Sequence, residues 1–378
     1  MGAVVRVGII SAAWGARAHL PAWRAVPGVE VVAICTAHRE TAEAAAQTHD
    51  IAMPFWDAAE MARHPDVDIV DVGTRPDMRR DMCLAALGAG KHVYNGIPFA
   101  ACWEDSIVLH EAARVSGTVA VVDAYSEFLA PLRFVEELLG EGTCGEVQSI
   151  TGRLDVSLFD RPVSTFPYNW FADGRHGASA LNNLGSHLLH LLVRYGGPAA
   201  DASGVTTRFV DEWRYADTGT SVRPDCDDTA AGVVRFESGV LGQFHVAWAA
   251  ASAPGFRLEI AGNRGRIVVT AAGTMPSEGA AISVARDHGA LEEVDVPVRL
   301  RVDSGIEPVE GWLVDPRPAL ALAFGHMVGA MAGTHEARPS FERAHHVQGI
   351  IEAVQRSSAE RTWVRPLDAS GDERSSTR

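Results

Sequence analysis

The sequence predicts a two-domain α/β protein, in which a doubly wound parallel sheet precedes an α+β domain with a large open, mostly antiparallel sheet. Three observations carry that expectation. The chain's 378 residues exceed what one ordinary core holds and suit two domains of roughly 100 to 200 residues each. Over residues 4–122 short β-branched runs alternate with longer amphipathic segments, and Gly, Pro or Asp marks each change of period. Further on, the alternation gives way to successive strand-length runs joined by hairpin signals such as Glu237-Ser238-Gly239 and Gly262-Asn263-Arg264-Gly265.

In chain order the first strands are Val4–Ile10, Val29–Cys35, Val67–Val72, His92–Tyr94 and Thr118–Val122, with helices starting near Trp14, His38, Asp77 and Trp103. Right-handed crossovers between such strands bury both faces of a parallel sheet. A helix over about Leu129–Gly140 follows. The later strands are Val147–Leu158, Thr206–Trp213, Thr229–Ser238, Val240–Ala249, Arg257–Ala261 and Arg266–Val269, with one strongly apolar helix, Ala178–Tyr195, between the first two. Two late helices cover about Pro318–Met331 and Phe341–Ser357. The expected divisions are 1–125 for the parallel-sheet domain and 126–338 for the α+β domain. Residues 339–366 are expected to pack back on the first domain, and 367–378 to form a polar, disordered tail.

Composition narrows the function. At 47% apolar and 21% charged residues the chain has enough apolar surface to fold as a globular protein. Its 33 Lys+Arg against 48 Asp+Glu leave a net charge of −15, which repels nucleic-acid phosphates and anionic membranes. No run approaches the ~20 apolar residues of a membrane span, and the N-terminus lacks the pattern of a signal peptide. Five scattered cysteines, never in C-x-x-C spacing, indicate neither a disulfide framework nor a zinc site, so a reducing cytoplasm is expected. Lys91 is the only lysine in the chain.

The turn after the first strand reads Ser11-Ala12-Ala13-Trp14-Gly15-Ala16. A dinucleotide fingerprint, G-x-G-x-x-G, would stand there, its glycines letting a pyrophosphate approach the N–H groups of the next helix. Ser11, Ala13 and Ala16 occupy those glycine positions, small enough for close approach but a weak match alone. The second strand ends at Thr36, followed by His38 and Arg39. No carboxylate stands where the ribose 2′-OH of NAD would bind, and a hydroxyl plus a guanidinium suits a 2′-phosphate, so NADP is expected over NAD, while a merely solvated Arg39 fits equally well. The loops Thr74-Arg75-Pro76 with Arg79, and Asn95-Gly96 with Pro98, complete the candidate coenzyme contacts; Arg75 and Arg79 could pair with a coenzyme phosphate or a substrate carboxylate, while solvated side chains are slightly favoured.

Several segments together resemble a known family. Val7-Gly8-Ile9, Ala18-His19-Leu20-Pro21-Ala22, Ala89-Gly90-Lys91-His92-Val93 followed by Pro98, Gly142–Val147 and Leu184-Gly185-Ser186-His187 are similar to the glucose-fructose oxidoreductase, inositol dehydrogenase and rhizopine-catabolism family (Gfo/Idh/MocA). The resemblance implies a Rossmann domain, an α/β domain whose open sheet often serves oligomerisation, and NAD(P)-linked redox chemistry on sugars or cyclitols. It also implies a catalytic Glu-Lys-Pro, which is Gly96-Ile97-Pro98 here, and an Asp-x-x-x-His pair, which is Asn183 and His187. Arg79 stands where the family often has His, and Glu127 where it often has Arg. Lacking the lysine, the chain looks closer to a branch resembling the yeast galactose-regulon repressor, and that keeps a non-enzymatic reading open.

Among the remaining groups His187 is the proton-transfer candidate, since only histidine titrates unperturbed near neutrality. Asn183 can orient a hydroxyl or carbonyl but cannot act as a base. Tyr168, in the aromatic segment Phe166–Phe171, and Tyr125, after the fifth strand, are further candidates for proton donation or stacking, against plain packing roles. His190 reads as structural. The carboxylates Asp225, Asp227 and Asp228 read as a solvated turn rather than a metal site, and no metal is expected. The expected activity is an NAD(P)-dependent oxidation or reduction of a small polyol, sugar or hydroxylated ring by a homo-oligomer, a dimer or tetramer. A non-redox lyase or isomerase and a ligand-sensing regulator are the alternatives.

Overall fold

The computed structural model of the protein describes residues 4–277, 279–287, 289–301, 304–307 and 315–367. The chain divides into two compact units, residues 1–128 with 302–345 and residues 129–301 with 346–378. Most of the expected tail, residues 368–378, lies outside the described residues.

In the first unit β1 (Val5–Ile10), β2 (Val29–Cys35), β3 (Met53–Phe55), β4 (Ile69–Val72), β5 (His92–Asn95) and β6 (Ala120–Val122) form one parallel sheet in the order β3-β2-β1-β4-β5-β6. The order reverses between β1 and β4, the place where a crevice opens at the carboxyl ends of the strands. Strand β3 and the helix Ala58–Arg63 have no counterpart in the sequence reading, because three residues around Pro54 display no period. One sheet face packs on Met61, Leu87, Phe99 and Leu109, the other on Leu20, Trp23, Leu320 and Phe324.

The helix Arg317–Met331 therefore belongs to this unit and not to the 126–338 domain expected for it. Leu320, Phe324 and Met327 recur at helical spacing and are fully buried, and the ring of Phe324 stacks on Trp23 at 3.8 Å. Only the first turn of the last helix, Phe341–Glu360, counts with the first unit. Beyond it Ser357 accepts the Gly204 N–H at 3.1 Å, within the second unit.

The second unit holds β7 (Val147–Asp155), β8 (Ala199–Thr207), a short ribbon of β9 (Trp213–Arg214) and β10 (Ser221–Val222), then β11 (Thr229–Phe236), β12 (Leu241–Ala247), β13 (Gly255–Gly262), β14 (Gly265–Ala271), β15 (Ala281–Arg286) and β16 (Glu292–Val294). Eight of these form a sheet ordered β16-β15-β14-β13-β7-β12-β11-β8, antiparallel except where β12 runs parallel to β7. A helix opens with one π-turn, Leu181–Gly185, continues as α over Ser186–Gly196, and buries Leu188, Leu189 and Leu192. The strand expected over Thr206–Trp213 instead ends at Thr207, since the Asp228 carboxylate accepts the N–H groups of Phe209 and Val210 and draws the chain out of the ladder.

Candidate coenzyme and substrate sites

Where β1 and β4 end, the turn is lined by small residues. A Cβ added to Gly15 would lie 2.8 Å from Ile9 Cγ2 and 3.1 Å from Ser11 Cβ, and one on Gly73 would lie 3.5 Å from Ser11 Cβ. Ser11, Ala13, Gly15 and Gly73 thus meet in a cradle that larger residues would fill. Ser11 Oγ accepts the Ala13 N–H at 3.2 Å, the role of shaping the turn that glycines play elsewhere. Ala12 and Trp14 are exposed at the crest. This cradle fits a dinucleotide pyrophosphate, with the helix amides beyond it as donors.

The end of β2 is more committed than the sequence implied. The Thr36 hydroxyl donates to the His38 carbonyl at 3.0 Å and lies 2.6 Å from Thr41 Oγ1. Arg39 pairs with Glu43 at 2.8 Å and lies over the Trp56 ring at 5.1 Å. On β4's loop Arg75 pairs with Asp77 at 2.9 Å, beside Thr74 and Pro76. Asn95, fully buried, donates from Nδ2 to Phe99 O at 2.9 Å, and its Oδ1 has no donor among the described residues.

Arg79, expected at the coenzyme, is turned inward and is 5% exposed. Its guanidinium donates to the carbonyls of Thr74, Pro98 and Ile97, and burial pushes its pKa down to about 10. Lys91 lies at the opposite, amino end of β5, donating to His64 O and Val67 O at 3.0 and 2.6 Å. It cannot substitute for a lysine at position 97.

Beneath the crest lies a network that the sequence reading missed. His19, completely buried, places Nδ1 2.9 Å from both oxygens of Asp71 and Nε2 3.3 Å from Asp123. The Trp23 indole donates to Asp71 at 2.7 Å and the Tyr94 hydroxyl to Asp123 at 2.7 Å. Burial opposes the charge on His19, but Asp71 and Asp123 outweigh it and lift its pKa to about 10. The signal for this was present: parallel strands buried on both faces read as apolar runs, and Asp71 interrupts one such run while Asp123 closes another. Tyr125, two residues on, is a poor acid, because burial and then Asp123 and Asp315 raise its phenol above the ordinary range.

In the second unit His187 and Asn183 are both half-exposed on the helix that starts with the π-turn, a distortion common at functional sites. Asn183 Oδ1 accepts the Ser179 N–H at 3.1 Å, so its carbonyl is occupied by the helix start. His190 is buried, as its structural reading requires. Tyr168 is half-exposed, edge-on to Phe159 and Phe171 at 5.8 and 5.6 Å. Asp225 accepts the Gly174 N–H at 2.6 Å, while Asp228 is buried and not solvated as expected. Among the described residues no group of His, Cys, Asp and Glu could hold a metal ion, and no helix is long and apolar enough to cross a membrane.

The strand order and the cradle of small residues define a dinucleotide-binding α/β protein. Its relationships are more specific. The Oxidoreductase family, NAD-binding Rossmann fold, matches residues 5–124, and the GFO/IDH/MocA C-terminal domain matches residues 132–268. The chain belongs to the Gfo/Idh/MocA oxidoreductases. It is similar to the levoglucosan dehydrogenase of Pseudarthrobacter phenanthrenivorans, 24% identical over 95% of this chain and 97% of that one. It is also similar to the 1,5-anhydro-D-fructose reductase of Ensifer adhaerens, 28% identical over 70% and 75% of the two chains. Among solved structures, apo levoglucosan dehydrogenase superposes with a TM-score of 0.86 at 21% identity, covering 97% of this chain and 100% of that one. Its complex with NADH and levoglucosan gives 0.84 at 22% identity, covering 95% and 98%.

Proposed function

We propose that the protein is a nicotinamide-dependent oxidoreductase of a small sugar, polyol or hydroxylated ring, and that its proton transfer runs through His187 without a lysine. The observation that carries the coenzyme is the cradle of Ser11, Ala13, Gly15 and Gly73, supported by an NAD-binding family and by sugar-dehydrogenase relatives. When bound, the coenzyme supplies the hydride acceptor or donor for a substrate carbon.

His187 accepts the hydroxyl proton during oxidation or returns it during reduction, the work its half-exposed imidazole suits. Asn183 and Tyr168 orient the substrate. With one lone pair of its Oδ1 engaged by the Ser179 N–H, Asn183 serves chiefly through its amide N–H donors, toward hydroxyl or carbonyl oxygens. Tyr125 contributes ring surface in preference to a proton. Ser11 to Gly15, Thr74 to Pro76 and Asn95 to Pro98 form the coenzyme crest.

We assign NAD(H) as the preferred coenzyme, reversing the expectation from Thr36, His38 and Arg39. The Thr36 hydroxyl is spent within its own turn, and Glu43 would face an incoming 2′-phosphate. The Arg39–Glu43 pair is exposed and weak, so the preference is modest. The homo-oligomer is assigned to the open face of the large sheet, where Arg153, Val205, Val233, Gln243 and His245 are at least partly exposed. Fluorescence titration with NADH and NADPH tests the coenzyme: saturable binding with NADH ahead by a small factor is expected. Absence of binding by either would remove the redox reading and favour the sensor or non-redox alternative.

A further inference from the structure

The loop at the end of β5 carries no charged side chain of its own at positions 95–98, yet a buried cation lies against it. A Cβ built on Gly96 would fall 2.9 Å from Arg79 Cζ, 3.0 Å from Nη1 and 3.2 Å from Nη2. Any side chain there would push on the guanidinium, which three carbonyl hydrogen bonds hold in place. Arg79 in turn donates to the carbonyls of Ile97 and Pro98 on that loop, and to Thr74 on the neighbouring loop after β4. One planar group thus fixes the two loops that follow β4 and β5, the adjacent parallel strands on one side of the switch point.

Burying an arginine this deeply is costly unless charge and hydrogen bonds compensate. Both are present. Three backbone carbonyls accept its charge-assisted bonds, and Asp123 and Asp77 lie close enough to favour its charge. Asp123 also accepts from Tyr94 and faces His19, so the two carboxylates Asp71 and Asp123 are balanced by two cations, His19 and Arg79.

We propose that Arg79 and Gly96 are a matched pair, with Arg79 the positioning residue that holds loops 74–76 and 95–98 in the form that receives the coenzyme. This rests on the coenzyme reading above. Neither residue touches the reacting atoms. Arg79 acts through the backbone of Ile97, Pro98 and Thr74, and Gly96 acts by yielding its side-chain space.

The test is NADH titration by fluorescence on the full-length protein, with thermal unfolding in parallel, for wild type, Arg79→Gln, Arg79→Lys, Arg79→Ala, Gly96→Ala and the Arg79→Ala/Gly96→Ala double variant. Arg79→Gln is expected to weaken NADH binding roughly tenfold or more, the scale of a misplaced contact loop. Arg79→Lys should recover part of the loss, since it keeps the charge but not the planar fork. Gly96→Ala should weaken binding by itself, yet add nothing to Arg79→Ala, because the methyl then meets no guanidinium. Should Arg79→Gln fail to fold, Gly96→Ala and the double variant carry the test. Unchanged NADH affinity in Gly96→Ala, or equal losses from it with and without Arg79, overturns the pair. A stability loss with unchanged affinity reduces Arg79 to a structural residue. Wild-type protein that binds no dinucleotide removes the coenzyme reading, and this role falls with it.

Discussion

Each unit buries a cluster of aromatic rings near its candidate site residues, but the two clusters are built on different physics. In the first, Trp23, Tyr94 and His19 surround Asp71 and Asp123, and each of those polar groups has a partner within 3.3 Å. In the second, Phe159 stacks on Trp213 at 3.8 Å, Trp248 meets Phe159 edge-on at 5.3 Å, and Phe171 and Tyr168 complete the group. The Trp213 and Trp248 indole N–H groups, both buried, have no acceptor among the described residues. The first cluster is specified by charge and direction, the second by contact area and ring geometry. A charged cluster fixes the loops above it and ties them to pH. A stacked one tolerates rearrangement.

The largest expected effect comes from removing the central cation. His19→Ala removes the cation between Asp71 and Asp123, leaving Arg79 alone to offset both, and should cost about 3–5 kcal/mol of unfolding free energy, measured by urea denaturation. A loss under 1 kcal/mol would place the two clusters on the same footing. The same residue gives the pH dependence. Because its pKa is raised in the fold to about 10 from an ordinary ~6.5, its stabilisation is complete below pH ~6.5 and is lost as pH rises toward 10. Urea midpoints taken at pH 6.5, 8 and 10 should fall for wild type and fall less for His19→Ala.

A matched pair of substitutions sharpens the contrast at smaller scale. Trp23→Phe removes a hydrogen bond to a carboxylate and should cost about 1.5–3 kcal/mol beyond the lost ring area. Trp213→Phe removes an N–H with no acceptor among the described residues, so only the change in ring area should register, about 1 kcal/mol or less by the same unfolding measurement. Equal costs would show that the hydrogen bond to Asp71 contributes nothing.

Much of the first unit was legible from the sequence, because parallel strands covered on both faces announce themselves as short apolar runs between helical periods. β3 was not, having only Met53, Pro54 and Phe55 to display. β8 was misplaced for a related reason: Ala199–Thr207 is made of small and polar residues, while the more apolar stretch that follows is diverted by Asp228. The candidates Asn183 and His187 on the Leu181–Gly196 helix came from the family resemblance, which no local pattern in the helix would supply. The charged cluster was not, since His19, Asp71 and Asp123 are 52 and 104 residues apart from the histidine and only folding brings them together. Arg79 shows the limit most clearly. Its residue type suggested a phosphate, whereas the absent Cβ of Gly96 turned it inward to the backbone.

The central proposal is proton transfer by His187 in an oxidoreductase with isoleucine, not lysine, at position 97. The direct test is steady-state turnover of a panel of sugars, polyols and hydroxylated rings with NAD by wild type and His187→Ala, with NADH affinity measured on both. The account predicts that His187→Ala binds NADH as wild type does and loses turnover by about a hundred- to ten-thousand-fold. Equal turnover by the two proteins on a substrate that wild type oxidises would contradict it.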